Sequence, residues 1–112
     1  MKVLLVNGSP HKNGCTYTAL SIVADALNKE GIDTEIMYLG NKPIAGCIGC
    51  GKCAETGECF RGDIVNDFIK KTAECDGFIF GTAVHFASAT GAITSFMDRA
   101  FMIPSQLKNK PA

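Results

Sequence analysis

Two short runs, KVLLV (Lys2 to Val6) and GFIFGT (Gly77 to Thr82), are apolar almost throughout, with no polar–apolar alternation. A strand with one wetted face alternates, whereas a continuous apolar run suits a strand covered on both faces, as in a parallel sheet. Turn residues follow each run, and a helical pattern follows the turn. After KVLLV comes NGSPHKNGCT, and from Thr16 apolar positions recur at Leu20, Val23, Ala24 and Leu27 until Gly31 stops the helix. TEIMYL (Thr34 to Leu39) alternates, which predicts a second strand nearer an edge. Asp63 is placed to cap a second helix running toward Glu74, with Ile64, Phe68 and Ile69 inward. After a loop from Ala83 to Ala89, a third helix is predicted from Thr90 to Phe101, with Ile93, Phe96, Met97 and Phe101 on one face. A polar tail, PSQLKNKPA, closes the chain. Three strand–helix units in succession predict an α/β fold, a doubly wound parallel sheet with right-handed crossovers. The 112 residues suffice for a single domain.

Charge narrows the function classes. The 11 basic and 11 acidic residues balance, and no basic stripe is present, so nucleic acid is not an expected partner. No apolar run approaches the ~18–20 residues that cross a bilayer. The opening apolar segment is shorter than the ~7–15-residue core of a signal peptide. A cytoplasmic, reducing setting is therefore expected, where six cysteines do not imply a disulfide framework. Cys75 reads as a core residue at a helix end.

The remaining four, Cys47, Cys50, Cys53 and Cys59, fall in a connection from Gly40 to Gly62 that shows neither helical nor strand periodicity. Loops of this length inside compact domains are usually functional or disordered. The spacing is C-x2-C-x2-C-x5-C, and glycines at 46, 49, 51 and 57 let the backbone curl. Three thiolates at two-residue gaps can take three corners of one iron–sulfur cubane, with the fourth closing it. A zinc site, usually two separated pairs, and a redox-active or plain thiol loop are the other readings.

The loop between Val6 and Thr16 has the make-up of an anion cradle. Small residues before a helix N-terminus expose N–H groups at the positive end of the helix dipole, and Ser9, Thr16 and Thr18 can add hydroxyl donors. The stretch is neither a Walker A motif nor G-x-G-x-x-G. A plain capped strand-to-helix turn is the alternative.

GSPHKNGCT resembles the GSPRxxGNT-type phosphate loop of the flavodoxin-like NADPH-dependent FMN reductases, with Ser9, Asn13, Gly14 and Thr16 matching. His11 stands where arginine is common, and Cys15 where asparagine or serine is. TAVHFASATGAITSFMDR is similar to the same family's GSPVYxxxxTGxxKxFxDR, through Thr82, Val84, Phe86, Thr90, Gly91, Phe96, Asp98 and Arg99. Ala83 replaces a proline, His85 a tyrosine and Thr94 a lysine. The resemblance implies noncovalent FMN, held by Ser9, Asn13, Gly14, Cys15, Thr16, Thr82, Ala83, Val84, His85, Phe86, Thr90 and Gly91, with NAD(P)H as donor. His85 reads as a flavin contact, a proton donor or a solvated loop residue. Asp98 and Arg99 read as capping or ion-pair residues.

The cysteine stretch resembles the compact motif of the iron–sulfur flavoproteins in the same group, which implies a [4Fe–4S] cluster on Cys47, Cys50, Cys53 and Cys59. The implied function is an FMN-binding oxidoreductase, active in NAD(P)H-linked flavin or quinone reduction or in electron transfer. The implied partners are small-molecule or protein electron carriers and a homo-oligomer, with no membrane. A non-enzymatic electron carrier or a thiol or metal redox sensor is the alternative. Family domains continue into fourth and fifth strands. The three units here predict a partial sheet of order 2-1-3 with an apolar edge at the third strand. The chain is thus expected to be part of a longer polypeptide, or to have its sheet completed by another chain.

Overall fold

The computed structural model describes residues 1–102, and in it β1 (Lys2–Asn7) lies between β2 (Asp33–Tyr38) and β3 (Gly77–Gly81), parallel to both. The order β2-β1-β3 is the one the sequence predicts. Register runs from Lys2↔Asp33 to Asn7↔Tyr38 on one side and from Val3↔Gly77 to Asn7↔Gly81 on the other. The polar tail expected from Pro104 lies outside the described residues. No helix among the described residues is long and apolar enough to cross a membrane.

The period of two along β1 sorts its side chains into two cores. Leu4 and Val6 join Met37, Leu39, Val65, Phe68, Phe78, Ile93 and Phe96 on one face. Leu5, with Val3, Ile36 and Ile79, meets Leu20 and Ala24 on the other. Leu4, Leu5 and Val6 are fully buried, and each such side chain contributes on the order of 1.5–3 kcal/mol. Among the described residues, α1 (Cys15–Lys29) alone covers the second face. Its stripe is narrower than predicted: Leu20 and Ala24 are buried, while Val23 is exposed. Only one helix face can meet the bed of three strands, and Val23 lies to its side.

α3 (Ile64–Thr72) and α4 (Gly91–Met102) cover the first face. The Asp63 carboxylate caps α3 by accepting the Val65 N–H at 3.2 Å, as predicted. Phe68 centres the packing, meeting Phe96 edge-on at 5.0 Å and Phe78 at 5.6 Å. Along α4 the buried apolar positions are Ile93, Phe96 and Ala100, with Arg99 buried beside them. Phe101, expected on that stripe, is half exposed and rests edge-on against Phe80 at 5.8 Å. Ala100 continues the three- and four-residue spacing from Ile93, but its small side chain gives a weak signal. Cys75 is buried at 2 % exposure, as expected.

Two irregular stretches carry structure too short for periodicity to reveal. Within 40–62, the single turn α2 (Cys53–Thr56) ends at Gly57, whose φ of 75° needs a residue without Cβ. Within 83–89, β4 (Val84–His85) pairs antiparallel with β5 (Ser88–Ala89). The two turn residues, Phe86 and Ala87, both take positive φ, 50° and 59°.

Candidate functional site

All three strands run out onto glycine at the same end of the sheet: Gly8 after β1, Gly40 after β2 and Gly81 closing β3. Gly8 donates its N–H to the Gly81 carbonyl at 2.8 Å. A Cβ on Gly8 would lie 2.8 Å from Ile93 Cβ, and one on Gly81 would lie 2.9 Å from Leu20 Cδ1. Close helix approach thus demands bare backbone at this rim. Above it opens a cleft of about 680 Å³ between the loops that follow the three strands. This is where doubly wound sheets bind ligands, and the volume lies in the ordinary range of about 300–1,000 Å³.

The first loop folds on itself through Asn7, which is fully buried. Asn7 Oδ1 accepts the Ser9 N–H at 3.0 Å, and Nδ2 donates to the Lys12 carbonyl at 3.3 Å. Ser9 is buried, and its Oγ accepts the His11 N–H at 3.1 Å. Gly14 is the N-cap of α1 and makes no side-chain capping bond. The first-turn N–H groups of Cys15 and Thr16 therefore have no capping side chain in front of them. Asn13 and Cys15 are exposed beside that helix end, and Thr16 is half-buried against Gly81.

Thr90 ties the rim together. It is 3 % exposed. Its hydroxyl donates to the Gly8 carbonyl at 3.2 Å and accepts the Ile93 N–H at 3.3 Å, capping α4. Its own N–H is donated to Thr82 Oγ1 at 3.1 Å. Loop, strand end and helix N-terminus thus meet on one side chain. Of the residues named from the sequence, His85, Thr90 and Gly91 line the cleft. Ser9 and Thr82 sit in its scaffold, and Ala83 is half-buried behind them. Val84 and Phe86 project from the hairpin, with Phe86 wholly exposed.

The sequence reading missed the third wall. Asn41, Lys42 and Ile44, after β2, line the cleft, as does Ser95 on α4. The Tyr38 hydroxyl lies 3.0 Å from the Pro10 carbonyl and 3.3 Å from Asn41 Oδ1, its single proton shared between the two acceptors. The rule that ligands bind beyond strand C-termini could have found this wall, since GNKP follows a predicted strand.

Two residues beyond Ile44, at Gly46, the same loop enters a second, smaller pocket of about 100 Å³. Cys47, Cys50, Cys53 and Cys59 all line it, with Phe60, Arg61 and Arg99. Gly49 donates its N–H to Cys47 Sγ at 3.4 Å, and both Gly49 and Gly51 take positive φ, which lets the loop wrap inward. No three His, Cys, Asp or Glu among the described residues converge as ligands of one ion. Thiolates on one zinc would sit about 3.8 Å apart, from the Zn–S length of about 2.3 Å. A cubane takes each sulfur at a separate iron, so its ligands stand wider. Four thiols around one pocket are the donor chemistry such a group takes.

Arg99 forms the inner wall of this pocket, with its side chain 1 % exposed. Nη1 and Nη2 grip the two Asp63 carboxylate oxygens at 2.7 Å each. Nη1 also donates to the Ala45 carbonyl at 3.2 Å, and Nη2 to Cys59 Sγ at 3.3 Å. Burial opposes charge on both partners. For Asp63 the Arg99 bonds and the Val65 N–H outweigh it and hold the carboxyl below its ordinary value. For Arg99 the bonds to Asp63 and Cys59 outweigh it and raise the guanidinium further. The ion pair expected of Arg99 is present, and its reach to the cysteines is an addition.

Residues 1–112 match the family model for NADPH-dependent FMN reductase. The chain is 38% identical over 112 residues to an iron–sulfur flavoprotein of Methanocaldococcus jannaschii, covering 98% of this chain and 58% of that one. It is 34% identical over 102 residues to an iron–sulfur flavoprotein of Archaeoglobus fulgidus, covering 91% and 50%. A crystal structure described as a quinone reductase from Klebsiella pneumoniae superposes with a TM-score of 0.63 at 17% identity, covering 90% of this chain and 45% of that one. That likeness supports the flavodoxin-like fold. The chain spans about half the length of these curated relatives.

Proposed function

The chain belongs to the NADPH-dependent FMN reductase family, and from that premise we propose that it is an electron-transferring part of a flavin oxidoreductase, holding FMN in the cleft at the sheet rim. The observation that carries this reading is the cleft itself, set between three strand ends and lined at Gly8 and Pro10 by the loop that runs on to the uncapped α1 N-terminus. The backbone there would take the FMN phosphate, with Asn13, Gly14, Cys15 and Thr16 around it and the Ser9 loop behind. His85, Thr90 and Gly91 would border the ring, with Thr82 and Ala83 leading from β3 into the hairpin of Val84 and Phe86. FMN, when bound, supplies hydride and single-electron chemistry.

This chain's own residues do the rest. At Gly40 and Gly91, which line the cleft with open space where a Cβ would stand, a planar ring would lie against backbone. Thr90 fixes the spacing between β1 and α4, and Lys42 brings positive charge to the open side. NAD(P)H is the proposed donor. Cys47, Cys50, Cys53 and Cys59 are the proposed seat of a [4Fe–4S] group, next to the flavin along one loop.

Titration of the metal-free chain with FMN and with riboflavin, followed by flavin fluorescence, tests the cradle. FMN is expected to bind at least tenfold more tightly. Equal affinity would remove the phosphate site, and no binding of either would remove the flavin reading. An electron carrier without reductase activity is the second reading, favoured by the four-thiol pocket beside the cleft. Negligible NAD(P)H oxidation by the flavin-loaded protein would select it.

A further inference from the structure

The four-thiol pocket rests on a single buried cation whose bonds reach both ends of the cysteine loop. Ala45 precedes Cys47 by two residues, Cys59 is the last of the four cysteines, and Asp63 caps the next helix. All three are held by one guanidinium. Residues 45 to 59 are mostly exposed and α2 is only one turn; Asn66 holds the Cys59 end through two 2.8 Å bonds to its backbone, and Arg99 is the side chain that joins that end to Ala45. Arg99 Nε is buried and has no hydrogen-bond partner among the described residues, so they do not fully satisfy the side chain.

The two charges cancel in number but differ in burial. Asp63 neutralises Arg99 once, yet Asp63 is one-third exposed while Arg99 is buried. The solvated carboxylate is therefore the weaker neutraliser on the pocket side. Four thiolates around an iron–sulfide core carry net negative charge, and such a group against a buried guanidinium is stabilised far more than in water. Lysine could supply the charge but not the planar fork that spans Asp63, Ala45 and Cys59.

We propose that Arg99 is the positioning residue of the cysteine pocket, clamping both ends of the loop and counterbalancing an anionic iron–sulfide group held by the four thiols. The proposal rests on the reading of these cysteines as a cluster site. Arg99 lies eight residues along α4 from Gly91, which lines the cleft, a rise of about 12 Å. The helix thus joins the clamp to the proposed flavin wall without any intervening loop.

The test compares wild type, Arg99→Lys and the double variant Arg99→Met with Asp63→Asn, which leaves no stranded carboxylate. Hydrogen exchange on the metal-free proteins reads the clamp. Amides of 45–62 are expected to exchange at least tenfold faster in the double variant, with β1 and β3 unchanged. Unchanged exchange in that segment would overturn the clamp, whatever the pocket binds. After anaerobic reconstitution with ferrous iron and sulfide, the double variant is expected to lose iron to a chelator at least tenfold faster than wild type. Its redox equilibrium is expected to move at least tenfold toward the oxidised form, about 59 mV for one electron. Arg99→Lys is expected to keep the potential but not the slow iron loss. Wild-type retention and potential in the double variant would overturn the charge role. Failure of wild type to take up iron would overturn the cluster reading and the charge role with it, and the exchange result would still decide the clamp.

Discussion

Replacing Gly8 with alanine would place a methyl carbon 2.8 Å from Ile93 Cβ and 2.9 Å from its Cδ1. Carbon atoms pack at about 3.5–4.0 Å, so the gap must widen by about 1 Å. Rotating Ile93 moves its Cγ and Cδ atoms but not its Cβ, which is fixed to α4. The first turn of α4 must therefore shift away from β1. The Thr90 hydroxyl bond to the Gly8 carbonyl, now 3.2 Å, would stretch past any useful length. Overpacking of this kind costs about 1–3 kcal/mol, and the buried hydrogen bond adds about 0.5–1.5 kcal/mol. Gly8→Ala is thus expected to lose about 2–4 kcal/mol in urea unfolding, with unchanged m-value. For a domain of this size each kcal/mol corresponds to about 4–8 °C of melting temperature. Adding Ile93→Val should not rescue it, because the offending Cβ remains. A Gly8→Ala protein within about 0.5 kcal/mol of wild type, or one rescued by Ile93→Val, would refute the argument that bare backbone is required here.

Thr90→Val keeps the shape of the side chain but removes its bonds to Gly8, Ile93 and Thr82 Oγ1. About 2 kcal/mol of stability should go, judged by loss of a helix cap and a buried hydrogen bond, while Thr90→Ser should stay within about 1 kcal/mol of wild type on the same scale. Ala87→Gly relieves a left-handed conformation at φ 59° and should raise the melting temperature, the gain being at most about 1 kcal/mol once glycine's unfolded entropy is counted; a drop would contradict the strain. Acid should destabilise the fold. Hydrogen bonding to Lys71 and Lys2 holds Glu35 below its ordinary 4.5 despite burial, and Asp63 lies below 3.8. Groups depressed in the folded state stabilise it above their unfolded values and lose that contribution as pH falls through the folded ones. Urea midpoints should therefore fall below about pH 4.5, less steeply in a Glu35→Gln, Asp63→Asn double variant, and parallel curves would contradict it.

The sheet was legible because its strands are read by their burial. KVLLV and GFIFG carry apolar side chains at nearly every position, and only a doubly covered strand explains that. Asp63 as a helix cap and Cys75 as a core residue were legible for the same local reasons. What escaped the sequence lies where contacts are distant and residues small. Ala100 fills a core position that Phe101 seemed to claim. The β4–β5 hairpin is held by four residues and turns on Phe86 and Ala87, neither a turn former. Lys42 reaches the cleft only because β2 and β1 end at one level. Arg99 meets Ala45 across 54 positions and Cys59 across 40. No local pattern encodes such a meeting, although the ion-pair chemistry of the residue was visible.

β1 precedes both of its partners in the chain yet ends in the middle of the sheet. During synthesis its edge toward β2 can close once Tyr38 has emerged, but the edge toward β3 waits for Gly81. At about 5–20 residues per second, the roughly 75 residues after Val6 take about 4–15 s to appear. For that interval the edge of β1 that will meet β3 stays unpaired on the nascent chain, beside Leu4, Leu5 and Val6. The ribosome-bound half-protein, more than the finished fold, is where this sequence is most in need of a chaperone.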